Sequence, residues 1–337
     1  MSDVLGHDAP IAAFLSAMRG EKMHHAWLLT GAEGIGKART ANLLAKRMLC
    51  EAAGPPIAGS GVETPESHPI GKLVDAWSHP DFKLLERQPK DMKLVKELDR
   101  RGWPVGIELV RNINVDQVRG LNSLFATKPS FSARRAVIVD AIDDMERGAA
   151  NALLKNLEEP PNGTIFLLIS HAPGRLLPTI RSRCRTLRFA PLGEAEMRQA
   201  IRREMPALDE AELAALVKAG EGSPGRALSF AGLDIGGIDA ALAQLATTGD
   251  ASNAVRSELA QKLSTKAAQR RFEAFLARCP TFIASEAQRR SGDALAPAIA
   301  AWEQARALAE SAVRQSLDPQ MTVFALAGHV AGLAPKA

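Results

Sequence analysis

Residues 25–48, HAWLLTGAEGIGKARTANLLAKRM, constrain the fold more than any other stretch of the chain. The apolar run HAWLLT (25–30) stops at a glycine-rich loop, after which Ala41, Leu44, Ala45 and Met48 repeat at helical spacing. Strand, glycine loop and helix form the arrangement that cradles phosphate. Glycines let backbone N–H groups turn inward, and the helix adds its positive N-terminal end. Gly31, Gly34, Gly36 and Lys37 satisfy the pattern G-x-x-x-x-G-K, and the lysine is placed to reach the outer phosphates. The next position calls for a hydroxyl that ligates Mg²⁺, and Ala38 stands there instead. Thr40 is no substitute, because two residues along a helix amount to about 200° of rotation.

Further short apolar runs extend the pattern. FKLL (82–85), AVIVD (136–140), TIFLLIS (164–170) and RTLRF (185–189) read as strands. Between them the spacing predicts helices over 114–126, where Val118, Leu121 and Phe125 share a face, and over 146–157, which must stop at Pro160–Pro161. An N-terminal helix capped by Asp8, with Pro10 in its first turn, places Ile11, Phe14, Leu15 and Met18 on one face. Strands alternating with helices predict a parallel sheet with helices on both faces. Residues 51–78, rich in Pro, Gly and Ser, read as a surface loop, and the charged residues 87–107 as an insertion.

Beyond residue 190 the strand patterns stop. Helices are predicted over 194–204, 209–219 and 225–232, and GLDIGGID (232–239) reads as a linker. The remainder is Ala-rich and helical, with Phe272, Phe275 and Leu276 on one face and Trp302, Ala305, Leu308, Ala309 and Ala312 on another. The expected division is an α/β domain over 1–190, a small helical domain over 191–235 and an all-α domain over 236–337.

Composition narrows the class. With 46% hydrophobic and 24% charged residues, the 337-residue chain is globular rather than disordered. Its formal net charge of +4 is compatible with a nucleic-acid partner without requiring one. Three widely spaced cysteines, Cys50, Cys184 and Cys279, argue against a disulfide framework. The first residues lack the apolar core of a signal peptide, and no run of eighteen apolar residues occurs, so a cytoplasmic protein without membrane attachment is expected.

Asp140 ends the AVIVD strand, where a P-loop protein holds its Mg²⁺ through water. At the next position, where ATPases of the AAA+ class place a glutamate to orient the attacking water, the chain has Ala141. Two positions needed for hydrolysis are both alanine, so hydrolysis is not the expected task. The retained glycines and Lys37 leave weak ATP or ADP binding open.

HHAWLLTGAEGIGKA, SHPDF, INVDQVRGL, AANALLKNLEEPP, RSRC and GSPGRAL occur in this order along the chain. The series resembles the delta-prime family of bacterial DNA polymerase III clamp-loader subunits, densely over residues 1–230. The resemblance implies an AAA+ α/β domain with a degenerate P-loop (1–190), a small helical lid (191–235) and a helical collar for oligomerisation (236–337). It implies a stator-like role within a DNA polymerase III holoenzyme, beside delta and tau/gamma subunits, helping to load a sliding clamp onto primed DNA. Arg183, the arginine of SRC, would act in trans as an arginine finger on a neighbour's ATP. Ser170 matches the place of a first nucleotide sensor. Arg226 lies one residue beyond the arginine of GSxR, the second sensor of motor subunits, so packing on a helix surface is the reading kept for it. Arg119 falls on a helix that borders the DNA channel in such assemblies. Many family members carry a four-cysteine zinc module after the P-loop helix. Here only Cys50 remains before Cys184, and no zinc is expected. The alternatives weighed against this reading are an active AAA+ motor subunit of a clamp loader and a P-loop small-molecule kinase.

Overall fold

The computed structural model describes residues 4–20, 22–55, 57, 59, 61–91 and 107–335. Most of the expected charged insertion, 92–106, lies outside the described residues. Two compact units divide the chain. The first runs through Ala200 and includes Gly222–Gly225; the second comprises Ile201–Glu221 and the chain from Arg226 onward.

In the first unit the elements follow as α1 (Asp8–Arg19), β1 (Ala26–Thr30), α2 (Lys37–Ala53), α3 (Pro69–Asp75) and β2 (Phe82–Glu86). Next come α4 (Val115–Arg119), α5 (Leu121–Phe125), β3 (Arg135–Asp140), α6 (Arg147–Glu158), β4 (Thr164–Ser170), α7 (Pro178–Arg181) and β5 (Arg185–Arg188). α8 (Glu194–Glu204) then leads out of this unit. The five strands form one sheet in the order β2-β3-β4-β1-β5, and every pair is parallel. This is the expected α/β architecture.

Side chains along a strand alternate between the two sheet faces. Trp27, Leu29, Ile138, Leu167 and Ile169 therefore pack with Phe14, Leu44 and Met48 of α1 and α2. Ala26, Leu28, Val137, Val139 and Leu168 pack on the other side with Val118, Leu153 and Leu157 of α4 and α6. β1, β4 and all of β3 but Asp140 are buried along their length, as strands covered on both faces must be.

Local details depart from the sequence reading. Asp8 does not cap α1; His7 holds the cap position and Asp8 lies in the first turn. The helix expected over 114–126 is two short ones meeting at Gly120, the first closed by a capping box between Asn114 and Gln117. The loop expected over 51–78 contains α3 and buries Val62, Ile70 and Val74. Arg47 of α2, only 1% exposed, staples this segment. Its Nη2 donates to the carbonyls of Ile57 (2.8 Å) and Gly59 (3.3 Å), its Nη1 to that of Glu63, and its Nε to Glu51 Oε1 at 2.6 Å. A guanidinium with five donors can organise an irregular loop that has few backbone partners of its own.

The second unit is helical. It contains α9 (Glu210–Gly220), α10 (Pro224–Ser229), α11 (Ile235–Thr248), α12 (Ala254–Leu263), α13 (Gln269–Gln288), α14 (Leu295–Gln315) and α15 (Pro319–Ala331), with the first two residues of α10 belonging to the first unit. The expected linker at 232–239 is a correction: α11 starts inside it. Asp234 caps that helix by accepting from Gly237 N, and Ile235 and Ile238 are buried. Gly236 and Gly237 lie in the first turn, where the cap and the buried isoleucines outweigh their low propensity. Phe272, Phe275 and Leu276 are buried on α13, and Ala305, Ala309 and Ala312 on α14. Arg278, also buried, forms a two-pronged pair with Asp239 at 2.7 and 2.8 Å. Among the described residues no helix is long and apolar enough to cross a membrane.

Substituting Arg47→Met keeps the apolar stem but removes the donor to the Ile57 and Glu63 carbonyls and one of the two arginines that bond Gly59 O and Glu51. The chain is expected to lose about 2–4 kcal/mol of stability, read as a lower urea midpoint. An unchanged midpoint would remove the staple role.

Candidate functional site

Because all five strands run the same way, the C-terminal ends of β1 to β4 lie along one edge of the sheet. Register there pairs Thr30 with Ser170 and Glu86 with Asp140. The loop between β1 and α2 leaves from this edge. Gly31, Gly34 and Gly36 have φ of 151°, 75° and 100°, values that side chains disfavour, so the loop has the glycine-dependent path expected of it. Gly36 leads directly into α2, and Thr40 is turned back onto the Gly36 carbonyl at 2.9 Å.

Lys37 is only 2% exposed, and its Nζ donates to two carbonyls of its own loop, Gly31 at 2.7 Å and Ala32 at 2.6 Å. Burial lowers its pKa to about 8 against the upward pull of Asp140, Glu33 and Asp143. Asp140 titrates above the usual carboxylate range because it is buried, with His171 and Lys37 acting in the opposite sense. Glu86, beside it on β2, is pushed up to about 7 by burial and by the charge of Asp140. Neither this carboxylate nor its position was signalled by the sequence, because strand register alone brings it to Asp140.

Ser170 does not present a free hydroxyl. Its Oγ donates to Asp143 Oδ1 at 3.0 Å, and Asp143 also accepts from His171 N (2.7 Å) and Ala172 N (3.1 Å). Asp143 therefore shapes the turn after β4. The loop is pinned from two further directions. His7 Nε2 lies 2.6 Å from the Ile35 carbonyl. Ser223 Oγ donates to Glu33 O at 2.8 Å, and Gly225 N to Gly34 O at 2.9 Å. A Cβ at Gly225 would come within 2.8 Å of Gly34 Cα, so glycine is what permits this approach.

The fit to a nucleotide is partial. The loop has the backbone path for phosphates, but its lysine is engaged by its own carbonyls. Ala38 and Ala141 offer no oxygen to magnesium or to water, so the residues present do not complete a magnesium site. Cys50, buried in the core beneath α3, has its thiol pushed up to about 11 by burial.

The remaining candidates have partners of their own. Arg183 sits in the turn before the edge strand β5; its Nη2 pairs with Glu158 Oε1 at 2.8 Å and its Nη1 donates to Thr179 O at 2.9 Å. Cys184 beside it is half-buried, its thiol pushed up to about 12 by burial. Arg119 is largely exposed on α4, 3.6 Å from Asp116. Arg226, in the second unit, pairs with Glu221 at 2.8 Å, donates to Thr281 Oγ1 at 2.9 Å and lies over the Phe230 ring. These contacts are those of an arginine packed on a helix surface.

Lys37 gives a signed pH dependence. Its folded pKa, about 8, lies below the ordinary 10.5 of lysine, so below pH 8 both states hold the proton and the cost of burying the charge is constant. Between 8 and 10.5 the unfolded chain binds more protons. The stability of the wild type relative to Lys37→Met is therefore expected to rise across that window. Urea titrations of both proteins from pH 7 to 10 check this; a flat difference would contradict it.

Residues 6–193, more than half of the chain, match the family model described as "DNA polymerase III, delta subunit". DNA polymerase III subunit delta' of Pseudomonas aeruginosa is 36% identical over 214 residues, covering 63% of this chain and 57% of that protein. The delta' subunit of Bacillus subtilis is 33% identical over 177 residues, covering 52% and 45%. The gamma/tau subunit of Mycobacterium tuberculosis is 28% identical over 232 residues, covering 68% and 36%. The match thus spans about half the length of the two delta' relatives. The chain belongs to the DNA polymerase III delta subunit family, and its named relatives place it with the delta-prime subunits.

Proposed function

We propose that this chain is a non-hydrolysing, stator-like subunit of a DNA polymerase III clamp loader. In this reading it works in the cytoplasm beside delta and tau/gamma subunits and helps place the sliding clamp on primed DNA during replication. The observation that carries the proposal is a P-loop frame preserved in its backbone but stripped of its catalytic oxygens. Ala38 and Ala141 stand at the two positions, and Lys37 is turned onto Gly31 O and Ala32 O. Family membership supplies the setting. Residues 191–235 would serve as lid and 236–337 as collar, the latter supported by amphipathic helices that carry no chemistry of their own.

Any ATP or ADP binding by the chain itself would be weak, since a phosphate must displace two loop carbonyls from Lys37. No zinc is required in this reading. Arg183 would be lent to the neighbouring subunit, a role supported by its place before an edge strand, away from its own P-loop. Ser170 and Arg226 would be structural here, their polar atoms being engaged by Asp143, Glu221 and Thr281. Exposed Arg119 would offer at most one phosphate contact to DNA. The gamma/tau relatives favour, as a second reading, an active motor subunit of the same machine; the two alanines argue against it.

Two outcomes follow. The purified chain should not hydrolyse ATP above background, and magnesium-dependent turnover abolished by Lys37→Ala would overturn the non-hydrolysing assignment. In the reconstituted complex, Arg183→Ala should leave assembly intact and lower ATP hydrolysis. A trans arginine is worth ~10³-fold or more at its one site, but sites served by other arginines would continue. Arg183→Lys should rescue poorly, because an ammonium cannot reproduce the planar fork. Unchanged ATPase and clamp loading would leave Arg183 an ordinary surface charge.

A further inference from the structure

The motif LEEPP places two carboxylates where a helix least favours them. Glu158 is the last residue of α6 and Glu159 its cap, at the negative pole of the helix. Lys155 is the only basic residue in that last turn. What offsets Glu158 comes from elsewhere in the fold: Arg183 Nη2, 2.8 Å from Glu158 Oε1. The same guanidinium uses Nη1 to donate to Thr179 O at 2.9 Å. Its side chain is thereby folded back along the four-residue helix α7, toward the residue four positions earlier. Both terminal nitrogens of the proposed finger have acceptors within their own subunit.

We propose that Glu158 is a latch that holds Arg183 retracted in the free subunit and gives it up to a nucleotide phosphate on assembly. The proposal rests on the reading of Arg183 as a trans-acting residue. Its physics is an exchange of one anion for another. The side chains of Arg183 and Glu158 are 34% and 48% exposed, so water screens the pair and keeps it weak. A terminal phosphate carries more charge and three acceptor oxygens, and a guanidinium binds it in the same forked manner. The carboxylate therefore keeps the long side chain in one place without outcompeting the phosphate. It also stops the free subunit from presenting a bare arginine to other anions.

The experiment has two arms, both using Glu158→Gln, an exposed substitution with little effect on folding. In the isolated full chain, modification of Arg183 by phenylglyoxal, located by peptide mass spectrometry, should be about two- to fivefold faster in the variant. Arg185, exposed two residues on, should react at an unchanged rate. Equal rates at Arg183 would overturn the latch, whatever Arg183 does in the complex. In the reconstituted complex at subsaturating ATP, Glu158→Gln should raise hydrolysis, by less than that factor because the sites served by other arginines are unaffected. Glu158→Gln combined with Arg183→Ala should match Arg183→Ala alone. A loss of rate in Glu158→Gln like that of Arg183→Ala would make Glu158 an orienting residue and overturn the latch. So would a gain that persists without Arg183. If Arg183→Ala lowers the rate while Glu158→Gln changes nothing, only the latch fails; if Arg183→Ala has no effect, the finger reading fails and takes the latch with it.

Discussion

The burial of β1 between β4 and β5 is the constraint on which the rest of the first unit depends. Each of its five residues is buried, and each pairs in parallel register with Phe166–Ser170 on one side. A parallel strand buried on both faces can be followed only by a crossover, and here that crossover is the glycine loop and α2. Its C-terminal end therefore delivers the loop to the same sheet edge as Asp140, Ser170 and Glu86. Polar chemistry gathers there because strand ends are the one place on a doubly covered sheet where backbone and carboxylates escape the apolar layers.

At that edge the polar groups are engaged with one another and with the loop backbone. Burial raises the cost of every charge, and Lys37 meets it by hydrogen-bonding to its own loop rather than by holding a position open. Asp143 spends its oxygens on the Ser170 hydroxyl and two backbone amides. His7, Ser223 and Gly225 fix the loop backbone from outside it. The last three contacts engage carbonyls of the loop, at Ile35, Glu33 and Gly34, and so hold its backbone path.

Much of this was legible in the sequence. The strands were visible as short apolar runs of four to seven residues, and the parallel sheet followed from their alternation with helices. The missing oxygens at 38 and 141 needed no coordinates. The failures have local causes. Asp8 looked like a cap, but the helix begins on it, with His7 bonded near the P-loop. The helix read over 114–126 is divided in two at Gly120. At 232–239, read as a linker, an Asp cap and two buried isoleucines start a helix. The loop at 51–78 lacks periodicity because it is held by the side chain of Arg47 rather than by a repeating apolar face.

The sequence by itself determined the fold class, the path of the P-loop and the absence of its two catalytic oxygens, because each depends on residue type at a fixed spacing. Tertiary structure alone decided which groups those residues meet. The pairing of Glu86 with Asp140 depends on strand register, and that of Arg183 with Glu158 on where α6 ends relative to the turn before β5. Gly225 approaches Gly34 only because a segment nearly two hundred residues away returns to the loop. Spacing along a chain fixes local geometry, whereas contacts between distant residues arise when buried apolar faces bring separate elements to the same edge.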